Sequence, residues 1–160
     1  MVEPDLLDDY LLHDDPESVL LVPGKAPGGF KDVLAQRVTT LNVATRDELP
    51  QAVQEQGRQS LLVFHGSLDS CERDDVTLIL AAARDLYAAR TVVMSACDPF
   101  DEAQPVSRNF MFSMGFRFRG GADNGNFSLY EYAIHDYKTV PDWLNARFWA
   151  NPENWGKYRW

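Results

Sequence analysis

A three-layer α/β domain, with a mostly parallel sheet ending in an antiparallel hairpin, is the fold class this sequence predicts. Three observations predict it. Short apolar runs alternate with segments of helical periodicity, the pattern of strand–helix–strand units in a parallel sheet. The run Ser60–Phe64 is almost wholly apolar, as a strand covered on both faces must be. From Phe127 to Ile134 two sets of side chains alternate behind the turn residues Gly120, Gly121, Asp123, Asn124 and Gly125, which marks a hairpin.

Asp5 to His13 places Leu6, Leu7, Tyr10 and Leu11 on one side and acids on the other, so residues 1–17 are expected to hold a helix ending before Pro16. Ser18–Val22 is an apolar strand stopped by Pro23 and Gly24, and Gly28–Arg37 is helical through Phe30, Val33 and Leu34. Val38–Ala44 is rich in β-branched residues and reads as the second strand, followed by a polar helix Asp47–Gln56 that breaks at Gly57.

After the central strand Ser60–Phe64, Asp69 and Glu72 have capping-box spacing ahead of a long helix with Val76, Ile79, Leu80, Ala83 and Leu86 on one stripe. Thr91–Ala96 is a further buried strand. Val106–Met114 is a helix closed by Gly115, and Phe116–Arg119 opens the hairpin. Right-handed crossovers then put helices on both sheet faces.

One domain spanning residues 1–160 follows from the length and from a 45% hydrophobic composition, enough for a core and too little for a second one. A net charge of -9 opposes a general grip on nucleic acid, which rests on Lys and Arg contacts to phosphate. No run reaches about 18 apolar residues and the start is acidic, so neither a membrane span nor a signal peptide is expected, and the protein is expected in the cytoplasm. Cys71 and Cys97 lack any CxxC or histidine pattern and read as two buried thiols, with no metal site. The tail, residues 138–160, carries Trp143, Phe148, Trp149, Trp155, Tyr158 and Trp160; such rings pack as core, close as a lid or form a protein interface.

The order of these elements, with Met114, Gly115 and Phe116 leading into the last hairpin, resembles the class I S-adenosylmethionine-dependent methyltransferases, a Rossmann-like superfamily. The resemblance covers about Leu6 to Ile134 and implies a trimmed, degenerate form, because Gly57 to Ser60 leaves no room for that family's third strand. It implies S-adenosylmethionine, or a related nucleotide, as the cofactor, held at a glycine turn represented here by Gly24, Gly28 and Gly29. Leu21 or Val22 stands where the family has an acid, and Asn42 stands where its second-strand carboxylate takes the ribose hydroxyls.

A ligand of such a sheet sits at the carboxyl ends of the strands, which present Gly24, Asn42, His65, Ser67, Asp69, Cys97 and Asp98. His65, followed by Gly66, is either a general base or a structural histidine. Asp98, before Pro99, either orients His65 or closes a turn. The motifs GxxxxGK[ST], GxGxxG and GxSxG are absent. Two functions are therefore expected from different classes: a methyltransferase acting through His65 or Asp98 on an acceptor the sequence does not identify, or a non-catalytic module that works through protein contacts. The expected partner is a small molecule or a protein.

Overall fold

The computed structural model describes residues 11–24, 30–122 and 127–134, and within them the chain builds one six-stranded sheet. Residues 1–10 of the expected N-terminal helix, Gly28 and Gly29, and the aromatic tail lie outside the described residues. In chain order the elements are β1 (Ser18–Pro23), α1 (Phe30–Arg37), β2 (Thr40–Val43), α2 (Leu49–Gln56), β3 (Gln59–His65), α3 (Arg73–Ala82), β4 (Ala88–Ser95), α4 (Arg108–Ser113), β5 (Arg117–Ala122) and β6 (Phe127–Ala133). The strand order is β2-β1-β3-β4-β6-β5. β2, β1, β3 and β4 run parallel, whereas β6 pairs antiparallel with both β4 and β5.

Alternation along the central strands sorts the core into two halves. Leu20 and Val22 of β1 join Leu62 and Phe64 of β3 in one cluster, which Leu49 of α2, Val76 and Leu80 of α3 and Met111 of α4 complete. Val19 and Leu21 join Leu61 and Val63 in the other, covered by Leu11 and by Phe30 and Leu34 of α1. The apolar runs of β1 and β3 are thus buried on both faces because helices lie on both.

Four local expectations are corrected. Glu72 is the N-cap residue of α3 but its side chain makes no capping bond, and Asp69 points its carboxylate elsewhere. The helix does not run regularly to Leu86: Ala83–Tyr87 forms a π turn. The wider turn rotates Leu86 into solvent at 65% exposure and packs Tyr87 against the core instead.

β4 also starts three residues before Thr91, at Ala88. Its third residue, Arg90, is a charge buried here by pairing. Arg90 Nε lies 3.2 Å from Glu131 Oε1 on β6, and another guanidinium nitrogen donates to the Leu11 carbonyl at 2.7 Å. β5 in turn runs beyond Arg119, through Gly120 at φ 123°, where its register against β6 shifts.

Candidate functional site

β1 connects outward to β2, whereas β3 connects the other way to β4, so the crossovers diverge between β1 and β3. Diverging connections leave a crevice above the carboxyl ends of the two strands. A cleft of about 570 Å³ opens there, lined among the described residues by Pro23, Gly24, Thr45, Arg46, Gly66, Ser67, Asp69, Ser70, Ala96 and Phe127.

Its base is a set of backbone bonds. The Gly24 amide donates to the His65 carbonyl at 2.8 Å, and the Gly66 amide to the Met94 carbonyl at 2.8 Å, so the exits of β1, β3 and β4 are tied together. Gly24 must be glycine: a Cβ there would stand 2.4 Å from the carbonyl carbon of Gly66 and 2.6 Å from the Ser67 nitrogen. Gly66 has φ 69°, in the left-handed region that a side chain disfavours.

The side chains come from three loops. Beyond β2 the chain stays beside β1, with the Ala44 amide donating to the Leu21 carbonyl at 3.0 Å, and this delivers Thr45 and Arg46 to the cleft. The Arg46 guanidinium donates to the Cys71 sulfur. Burial pushes the Cys71 thiol up, against the pull of Arg46, and keeps it neutral at pH 7. Ser67 lines the cleft with a buried hydroxyl that has no hydrogen-bond partner among the described residues. Asp69 accepts from the Ser95 hydroxyl at 2.6 Å and from the Ala96 amide at 2.8 Å, clamping the loop after β3 onto the end of β4.

His65 lies beneath this surface. Its ring is stacked between Phe30, at 4.5 Å between centroids, and Phe127, at 5.4 Å. Burial lowers its pKa below the ordinary value, only partly opposed by the charge of Asp69, so the imidazole is neutral at pH 7. Phe127 thus joins the cleft wall to the histidine.

The other residues singled out in the sequence fall elsewhere. Asp98 is exposed and accepts from the Phe100 amide at 3.0 Å inside a turn, outside the cleft lining. Asn42 pairs in register with Leu20 within the β1–β2 ladder and does not line the cleft, whereas Gly24 does. Cys97 is half-buried, with its thiol also pushed up by burial. Thr45, Arg46 and Phe127 are the residues that sequence reasoning passed over. The available signal was position: Thr45 and Arg46 are the first polar residues after a strand beside the switch point.

Among the described residues no group of three or more His, Cys, Asp or Glu could hold a metal ion, and no helix is long and apolar enough to cross a membrane. The model of a family of unknown function, DUF6231, matches residues 2–160, and the chain belongs to that family. No curated protein matches the chain.

Proposed function

For this member of a family of unknown function, we propose a methyltransferase-like, Rossmann-like domain that binds S-adenosylmethionine or a related nucleoside in the switch-point cleft and does not use His65 as a catalytic base. The single observation carrying this reading is the cleft, whose wall combines the glycine-bearing exits of β1 and β3 with the ring of Phe127. Gly66 sets no side chain against a ligand at the β3 exit, and an aromatic face suits a nucleobase. The strand order with a final antiparallel hairpin also supports the resemblance to the methyltransferase superfamily.

Catalysis finds less support. A base needs an accessible lone pair on a group that exchanges protons near working pH. His65 is 6% exposed, sandwiched by two rings, and has its pKa lowered by burial. Calorimetric titration with S-adenosylmethionine and S-adenosylhomocysteine tests the reading: saturable heat is expected from both, and the absence of heat at millimolar ligand would contradict it.

One observation favours a second reading, a module that acts by protein contact. Phe100 and Phe112 are exposed, and the Arg108 guanidinium lies over both rings, at 5.9 and 5.4 Å from their centroids. Arginine set among aromatic rings is the composition of interface hot spots. Self-association or partner capture lost in Phe100→Ser, with the cleft still able to bind ligand, would support it.

A further inference from the structure

Among the described residues that line the cleft, Arg46 is a cation that no carboxylate contacts. Among the described residues, no carboxylate pairs with Arg46, whose one hydrogen-bond partner there is the Cys71 thiol, a neutral and weak acceptor. A guanidinium presents five N–H donors, so several remain for another group. Half-buried Arg46 borders the cleft beside Thr45, and Ser67 adds its buried, unpartnered hydroxyl to the same lining. The lining's acid, Asp69, is already occupied by the Ser95 hydroxyl and the Ala96 amide. The β2 exit therefore offers positive charge at the place where binding of bare ribose hydroxyls would call for an acceptor.

We propose that Arg46, helped by Thr45 and Ser67, forms an anion subsite, and that the ligand of the cleft is a nucleoside bearing a phosphate or a carboxylate. The inference rests on the reading that the cleft takes a nucleoside. Arginine is suited to it because its planar fork meets both oxygens of either group, and a partly desolvated ion pair of this kind is stronger than one in water. Asp69 keeps acceptor capacity on its two oxygens for a hydroxyl, amino or ammonium group elsewhere on the same ligand.

The test is calorimetric titration of the whole chain with adenosine, adenosine monophosphate and S-adenosylhomocysteine. The wild-type protein is expected to bind adenosine monophosphate or S-adenosylhomocysteine, each of which carries an anionic group, about ten- to hundred-fold tighter than adenosine, the range of one charge-assisted contact. Preference for the monophosphate identifies phosphate as the recognised group, and preference for S-adenosylhomocysteine identifies the carboxylate. Arg46→Gln should abolish the preference, while Arg46→Lys should keep part of it.

Equal affinity for all three ligands, or a preference that survives in Arg46→Gln, overturns the inference and leaves the nucleoside cleft standing. Binding of none of the three overturns both. If Arg46→Gln fails to fold in a circular-dichroism melt, Arg46→Lys and the salt dependence of wild-type binding decide. The ligand preferred over adenosine must then weaken as salt rises while adenosine does not, and the absence of that difference counts against the subsite.

Discussion

The amide of Gly24 donates to the carbonyl of His65 at 2.8 Å, which closes the crevice between β1 and β3 at its base and sets the floor of the cleft. This bond brings the two loops so close that Gly24 lies against the backbone of Gly66 and Ser67.

Gly24→Ala should therefore be costly, because the atoms its methyl meets are backbone that cannot rotate away. Overpacking of this kind costs about 1–3 kcal/mol. Urea unfolding checks the loss. Gly57→Ala is a useful contrast: nothing lies within 4 Å of its Cβ position, so any cost there comes from its φ of 82° alone.

His65 makes stability depend on pH in a definite direction. Its pKa is lowered in the fold by burial, so the unfolded chain binds the proton more readily. The contribution is full above the unfolded value near 6.5 and is lost as pH falls from there through the folded pKa. The slope due to one such group is at most about 1.4 kcal/mol per pH unit. Unfolding measured from pH 7.5 downward should show this decline, and His65→Phe, which keeps the stack with Phe30 and Phe127, should flatten it.

Arg90 and Glu131 are each 5% exposed and face one another between β4 and β6. Removing Glu131 leaves Arg90 charged and buried without its acid, a loss of about 3–5 kcal/mol, whereas removing Arg90 still leaves Glu131 beside Arg119, whose Nε lies 3.4 Å from its Oε2. Glu131→Leu should therefore unfold at lower denaturant than Arg90→Leu, and lower than the double variant, in which no buried Arg90 is left without its acid.

Asp69 and Glu72 separate two accounts of the turn before α3. Asp69→Ala deprives the Ser95 hydroxyl and the Ala96 amide of their acceptor and should cost about 1–3 kcal/mol. Glu72→Ala removes a side chain with no capping bond and should change stability by no more than about 0.5 kcal/mol. Similar losses in both variants would restore the capping box.

The sheet was legible because β1 and β3 announce burial on both faces with unbroken apolar runs, and β6 announces its hairpin by alternation. The start of β4 was hidden because burial of Arg90 depends on Glu131, 41 residues away, a partner that local pattern cannot supply. Leu86 was misplaced because a π turn breaks helical periodicity without any glycine or proline to mark it. At the cleft, Gly24 was legible as a turn glycine, but its reason, the approach of Gly66, belongs to tertiary structure. Asp69 read as a cap because its spacing to Glu72 is local, whereas its bonds to Ser95 and Ala96 cross the sheet. Arg46 carried no motif at all.

Filling the cleft above β1 and β3 should exclude the nucleoside proposed to bind there. Ala96 lies in the cleft lining and is exposed, so Ala96→Trp fills the space without disturbing the core. The most direct measurement is calorimetric titration of S-adenosylhomocysteine into the wild-type protein and this variant. The account predicts saturable binding to the wild type and at least about a ten-fold loss in the variant, equivalent to about 1.4 kcal/mol. Absence of binding to the wild type, or equal binding to both proteins, would contradict it.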